Sequence, residues 1–151
     1  MSIALTLAAL NYLPFKVVDI HNAYIAAPVT EKIWTVIGQE FGEYAGRKAI
    51  VVRELCGLKS AGSDFRNYLA DCVHHLGLLP CPSDLDLCMK PVLRSEDGFN
   101  YYAYVLIYFY CVMVIHNDAD SVLRQIYKYF KLNPSSIGDP DIYMRDKLKK
   151  M

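Results

Sequence analysis

The sequence predicts an α+β fold in which an antiparallel sheet is covered on one face by two helices. Two observations support this prediction. Segments rich in β-branched and aromatic residues are joined by turn signals, and two longer segments repeat their apolar residues at the helical period. The chain has 151 residues, 54% hydrophobic and 21% charged, so it can form a packed core and is too apolar to be disordered. Without internal repeats or low-complexity tracts, we expect a single domain.

The first half of the chain predicts a helix, a strand and a long hairpin. Apolar residues recur near the helical spacing over 2–11, and Pro14 prevents the helix from continuing. A strand is expected over 15–20. β-branched residues are concentrated in 32–37 and 49–55, with glycines in the polar stretch between them, which indicates two paired strands.

The second half predicts two amphipathic helices and three strands. The first helix begins at Ser63 or Asp64 and ends at Gly77, and the second is capped by Asn117 or Asp118 and ends before Asn133. The strands are expected over 86–92, 100–108 and 112–115, with the Asp-Gly pair at 97–98 marking the turn between the first two.

Charge and cysteine content limit the possible functions. The 16 basic and 16 acidic residues cancel, so any contact with nucleic acid must rely on a local basic patch. The five cysteines include no Cys-x-x-Cys pair, which disfavours a disulfide framework and makes zinc binding by 72–88 improbable. The apolar segment 101–115 is too short for a membrane-spanning helix, and 1–10 lacks a basic leader. We therefore expect an intracellular protein, cytoplasmic or nuclear, without a membrane partner.

Several segments point to a function through their order along the chain. They are Asp-Ile-His-Asn-Ala-Tyr at 19–24, Leu-Cys-Gly-Leu-Lys-Ser-Ala at 55–61, Ser-Asp-Leu-Asp-Leu-Cys at 83–88, the hairpin 104–115 with the turn Tyr-Phe-Tyr-Cys, and Pro-Asp-Ile-Tyr-Met-Arg at 140–145. In this order and at these separations, the chain resembles the reverse transcriptase of copia-type retrotransposons. The resemblance covers nearly the whole chain. It implies the palm and fingers part of that fold, with 32–55 as the fingers-side hairpin.

The resemblance also implies the place of the catalytic site. In the family the hairpin turn is Tyr-Val-Asp-Asp, and its two aspartates share two magnesium ions with a third aspartate, which matches Asp19. Tyr110 and Cys111 stand where the paired aspartates would be. A phenol and a thiol are mostly uncharged at neutral pH, and magnesium requires oxygen ligands. Asp19 alone does not make a metal site, and neither Asp84 nor Asp86 would rebuild two shared metal positions.

The nucleotide-binding residues implied by the resemblance are Tyr24, Gly57 and Lys59. Tyr24 matches the aromatic residue that blocks a ribose 2′-hydroxyl. Gly57 and Lys59 belong to the segment that leads into a helix beside the incoming nucleotide, where glycine allows close backbone approach. Residues 1–151 would thus be one palm-like domain fragment, without the thumb and the RNase H region.

Three functions follow from these residues. The first is a remnant of an RNA-directed DNA polymerase, a nucleotidyltransferase by family, that is inactive and needs no cofactor in this copy although the family uses Mg²⁺. The second is a non-catalytic module that binds nucleic acid or protein, for which a basic patch around Lys59, Arg66 and Arg53 would favour weak binding of an RNA or DNA template-primer. The third is residual polymerase activity with manganese and a partner chain. The oligomeric state is left open.

Overall fold

The computed structural model describes residues 2–137, 142–143 and 146–147. Its helices are α1 Ser2–Leu10, α2 Ala23–Ala26, α3 Ala61–His75 and α4 Ala119–Tyr127. Its strands are β1 Phe15–Asp19, β2 Pro28–Val36, β3 Lys48–Arg53, β4 Leu79–Cys81, β5 Asp84–Leu93, β6 Asn100–Tyr108, β7 Cys111–Ile115, β8 Ile142–Tyr143 and β9 Asp146–Lys147. The predicted α+β class with an antiparallel sheet is confirmed.

The chain divides into two compact units. The first unit contains Met1–His21 and Leu69–Met151, and the second contains Asn22–Tyr68. The five-stranded sheet belongs to the first unit and the β2–β3 hairpin to the second. The expectation of a single domain stays a prediction, because one domain can contain more than one compact unit.

The sheet of the first unit has the order β1-β7-β6-β5-β4, and every neighbouring pair of strands is antiparallel. The strands predicted over 15–20, 86–92, 100–108 and 112–115 are confirmed to within two residues at each end. The segment β6–β7 forms the expected hairpin, and β1 pairs along its outer side. The sequence therefore predicted the central strands of the sheet well.

Helices cover both faces of this sheet, whereas the sequence predicted helices on one face only. Ala4 and Ala8 of α1 pack with Val17 and Met113 on one face. On the other face Val112, which alternates with Met113, is fully buried, and α4 contacts β7. Burial of both faces explains why these strands form a nearly continuous apolar run instead of alternating with polar residues.

The end of α3 is tied to β5, since the Lys90 ammonium donates a hydrogen bond to the carbonyl of Leu76, 3.1 Å away. The predicted stop at Gly77 is confirmed. Gly77 has a φ of 84°, and the N–H groups of Gly77 and Leu78 donate to the carbonyls of His74 and Val73. This pair of hydrogen bonds is the Schellman pattern, which uses glycine for its left-handed backbone.

The second unit contains the long hairpin predicted from its β-branched residues. β2 and β3 pair antiparallel, with Ile33 opposite Val51 and Trp34 opposite Ile50. Two 3-10 turns within Gln39–Tyr44, separated by a kink at Gly42, occupy the connection between them. The predicted hairpin is confirmed.

Several short elements were not predicted from the sequence, among them α2, the 3-10 turns within Gln39–Tyr44, the 3-10 helix Pro134–Ser136 and β4. α2 has four residues and Pro134–Ser136 has three, so neither is long enough to display a period. β4 contains Pro80 and pairs only with β5, at the edge of the sheet. A proline within a short apolar segment argues against a strand, and an edge strand is the position that tolerates it.

No helix among the described residues is both long enough and apolar enough to cross a membrane. The segment 140–145, part of the resemblance, lies outside the described residues apart from the backbone of β8.

Candidate functional site

The candidate catalytic residues meet at the tip of the β6–β7 hairpin. Asp19, the last residue of β1, lies directly opposite Cys111, the first residue of β7, in the antiparallel register. The register continues one step further, because the N–H of Ile20 donates a hydrogen bond to the carbonyl of Tyr110 at 2.8 Å. Asp19 and Cys111, separated by 92 positions in the sequence, are thus neighbours, as the sequence prediction required.

A hydrogen bond joins the two side chains. The Cys111 thiol donates to Oδ1 of Asp19, with 2.8 Å between Sγ and Oδ1. Burial raises the pKa of Cys111 to about 12, helped by the hydrogen bond to Asp19 and by its negative charge. At neutral pH the thiol therefore stays protonated and acts as a neutral donor to the carboxylate.

The outer edge of β1 is covered by the segment that follows α4. The N–H of Asp19 donates to Oγ of Ser136 at 2.8 Å, and the N–H of Asn133 donates to the carbonyl of Asp19 at 2.9 Å. Ile20 forms an isolated antiparallel bridge with Leu132. These contacts satisfy backbone groups that an edge strand would otherwise leave unpaired, and they fix Asp19 in place.

The turn of the hairpin holds two bulky aromatic residues. Phe109 has a φ of 50°, in the left-handed region that a residue with a Cβ rarely adopts. Its ring packs edge-on against Tyr108, with 4.6 Å between the ring centroids. Tyr110 is 49% exposed, and its backbone carbonyl makes the contact to β1.

The donor set at this tip does not fit a pair of magnesium ions. It offers one carboxylate, Asp19, with a neutral thiol on one oxygen, and an exposed phenol at Tyr110. Magnesium demands oxygen ligands in octahedral geometry and two-ion sites need several shared carboxylates. Asp84 and Asp86 are exposed, and Oδ1 of Asp84 accepts from the N–H of Asp86. Within the described residues, no group of three or more His, Cys, Asp or Glu side chains could hold a metal.

The three residues predicted to bind a nucleotide all belong to the second unit. Tyr24 lies in α2 and is half-buried, with its ring edge-on to Phe65 of α3 and 6.0 Å between the centroids. This contact gives the tyrosine ring a packing role. Gly57 has a φ of 99°, and a Cβ there would have no neighbour within 4 Å. Glycine is therefore favoured at this position by backbone conformation.

The predicted basic patch consists of exposed or half-exposed side chains near these residues in sequence. Lys59 and Arg53 are exposed and Arg66 is half-buried. Arg53 donates from Nη1 to the carbonyl of Ala26 at 2.9 Å, so its guanidinium is partly engaged by the backbone. The arrangement of the three cations as one patch stays a prediction.

Two of the cysteines considered for zinc lie in the core. Cys72 and Cys88 are buried, and burial raises the pKa of Cys72 to about 11. A buried thiol of this kind behaves as a small apolar side chain.

The second unit contains a pair of buried acids that the sequence did not predict. Glu54 follows β3 and is fully buried, and Asp64, in the first turn of α3, is 7% exposed. A signal was present, since Glu54 directly follows the apolar strand 49–53 and Asp64 occupies a helix start, where acids are favoured. The sequence gives no means of seeing that the two carboxyl groups meet.

No family model matches the sequence, and no curated protein matches it. The resemblance to reverse transcriptases therefore stays a prediction, carried by the segments quoted above and by the geometry at the hairpin tip.

Proposed function

We propose that the chain is a catalytically inactive derivative of an RNA-directed DNA polymerase palm, of the kind that copia-type retrotransposons encode. One observation carries the proposal. Asp19 and Cys111 are partners in the register of β1 and β7, at the tip of a hairpin in an antiparallel sheet. Such a juxtaposition is what a palm requires of its metal-binding positions, and it was expected from the order of the motifs.

The chemistry of the site supports the loss of activity. Nucleotidyl transfer by two metal ions needs carboxylates that hold both ions and stabilise the charge that develops on the leaving group. At this tip the remaining carboxylate accepts a hydrogen bond from a thiol whose pKa is raised to about 12. Each ~1.4 kcal/mol of lost transition-state stabilisation is tenfold in rate, so losing metal electrostatics worth several kcal/mol lowers the rate by several powers of ten.

A primer-extension assay tests this proposal. The full chain is incubated with a primed RNA template, deoxynucleotides and either Mg²⁺ or Mn²⁺, beside an active reverse transcriptase as the positive control. We expect no extension above a blank without protein, because the donor set cannot hold two metal ions. Extension by the unaltered chain that Asp19→Ala abolishes would instead establish residual polymerase activity and overturn the proposal.

A second function, binding of single-stranded nucleic acid, is favoured by one face of the β2–β3 hairpin. The register places Trp34, Val36, Lys48 and Ile50 on that face, and the Lys32 ammonium lies 5.5 Å from the centroid of the Trp34 ring. An open pocket of about 430 Å³ is lined in part by Trp34 and Lys48. An exposed indole between two lysines offers a base a stacking surface and offers phosphates a positive charge.

Binding to this face is expected to depend on salt and on the indole. The protein is titrated into a labelled single-stranded oligonucleotide, and binding is followed by fluorescence anisotropy. The affinity should fall as salt rises, and Trp34→Ala should lower the binding free energy by a further ~1–3 kcal/mol, the usual contribution of stacking one base. Lys59→Ala is the matched control, because it removes one cation outside the hairpin. Binding that responds to Lys59→Ala and not to Trp34→Ala would place the contact on the predicted basic patch.

A further inference from the structure

The buried acids Glu54 and Asp64 connect three elements of the second unit. The backbone N–H of Glu54 donates to the carbonyl of Ala27 at 3.1 Å, and Oε1 of Glu54 accepts from the Ser60 hydroxyl at 3.0 Å. Both carboxylate oxygens of Asp64 accept from the Thr30 hydroxyl, at 3.0 and 2.8 Å, and Oδ2 also accepts from the Thr30 N–H at 3.1 Å. The pair thus links β2, the end of β3 and the start of α3.

One oxygen of this pair has no donor as long as both acids are ionised. Oε2 of Glu54 is buried, and no N–H or O–H group donates a hydrogen bond to it. The Glu54 and Asp64 carboxyl groups contact each other. Two carboxylates in contact cannot hydrogen-bond, since both only accept. A proton on Glu54 resolves the conflict, because the protonated carboxyl donates to Asp64 and the buried oxygen acquires a partner.

The surroundings decide which acid carries the proton. Asp64 is held ionised by the donors of Thr30 and lies in the first turn of α3, where the helix dipole favours a negative charge. Glu54 is faced by two acids, Asp64 from α3 and Glu31 from β2, and α2 contributes no charged side chain. Burial, the contact with Asp64 and these charges raise the pKa of Glu54. The Thr30 hydrogen bonds and the contact with Glu54 lower the pKa of Asp64.

We propose that Glu54 and Asp64 form a proton-dependent latch, in which a proton on the Glu54 carboxyl ties the end of β3 to the start of α3 and the loss of this proton as pH rises releases that tie. The latch would make the second unit respond to pH although no histidine takes part. It is independent of the proposed polymerase ancestry, because none of its groups belongs to the hairpin tip.

The sign of the pH dependence follows from linkage. The pKa of Glu54 is raised in the folded chain above its ordinary value of 4.5. Above pH 4.5 the folded state therefore holds a proton that the unfolded chain has released, and stability falls as pH rises until the folded group has also ionised. The lowered pKa of Asp64 acts on the acidic side, where its contribution is lost as pH falls below its ordinary 3.8.

Urea unfolding of the full chain at a series of pH values tests the latch. The sequence contains one tryptophan, Trp34 in β2, so its fluorescence reports on the second unit. We expect the unfolding midpoint of the unaltered chain to fall as pH rises above 4.5, the ordinary pKa of the glutamate. Glu54→Gln should remove most of this fall and raise the midpoint at the highest pH of the series, because the amide keeps a donor toward Asp64 without an ionisable proton.

Glu31→Gln is the matched control. It removes one of the two acids that face Glu54 but leaves the latch proton in place, so the fall with pH should persist. Equal slopes in the unaltered chain and in Glu54→Gln would overturn the proposal. A second measurement needs no variant. Over the same pH series, the ¹³C resonance of the Glu54 carboxyl in the folded chain should titrate with a midpoint above pH 4.5, and a midpoint at or below pH 4.5 would refute the latch.

Discussion

Restoring both aspartates of the hairpin turn, with Tyr110→Asp and Cys111→Asp in one chain, is expected to create a divalent-cation site and to destabilise the metal-free protein. The Cys111 position lies in register with Asp19, where the thiol now donates a hydrogen bond over 2.8 Å. A carboxylate there would replace a neutral donor by a like charge. Two unit charges ~4 Å apart repel by ~4 kcal/mol at an effective dielectric constant of ~20, which gives the order of magnitude of the loss.

Added metal should reverse this loss. The restored carboxylates at 110 and 111 would stand beside Asp19 and supply the oxygen ligands that Mg²⁺ and Mn²⁺ prefer, and a cation that binds only the folded state stabilises it by mass action. The measurement is urea unfolding of the restored chain and of the unaltered chain, with and without Mg²⁺, beside calorimetric titration of the metal. The restored chain should respond to the metal and the unaltered chain should not.

Two single variants separate charge from shape in this experiment. Cys111→Asn alters the side chain at the same position without adding a charge, so it should neither bind metal nor lose stability to repulsion. Tyr110→Asp alone should cost little, because the phenol is 49% exposed and its backbone carbonyl makes the contact with Ile20. If the doubly restored chain is as stable as the unaltered one and ignores Mg²⁺, the hairpin tip did not originate as a metal site.

The strands and longer helices were predictable because their local patterns agree with their burial. α3 and α4 each bury one apolar stripe, so the helical period survives in the sequence. β6 and β7 are buried on both faces, and their β-branched and aromatic residues identify them without any alternation. Where an element is short, as in α2 and β4, too few residues exist to establish a period.

The location of the candidate site at the hairpin tip was predictable from the sequence, but the hydrogen bonds that its side chains make were not. Motif order placed Asp19 near Cys111, and the register agrees. Whether the thiol would donate to the carboxylate or face solvent depends on burial, which no local pattern gives. The cover that Asn133 and Ser136 provide for β1 and the meeting of Glu54 with Asp64 likewise depend on tertiary contacts. Long-range polar contacts of this kind leave no periodic signal in the sequence.

Phe65→Ala is expected to produce the largest loss of stability in the second unit. The Phe65 side chain is 1% exposed and packs edge-on against Tyr24. Truncating a buried phenylalanine to alanine costs ~3–5 kcal/mol through lost burial and the cavity that remains. The same urea experiment with Trp34 fluorescence measures the effect. Tyr24→Phe is the conservative control, since it keeps the ring and should change stability by no more than ~0.5 kcal/mol.

A double-mutant cycle then decides between two roles for Tyr24. If the ring serves packing, Tyr24→Ala destabilises the chain on its own, and combining it with Phe65→Ala costs less than the two losses added together, by ~0.5–1.5 kcal/mol for an edge-on aromatic pair. If Tyr24 serves only to exclude a ribose 2′-hydroxyl, as the resemblance implies, Tyr24→Ala leaves stability nearly unchanged. The loss of stability in the double mutant then equals the sum of the two single losses. The 6.0 Å separation of the ring centroids favours the packing role, because such rings lose mutual contact when either one is removed.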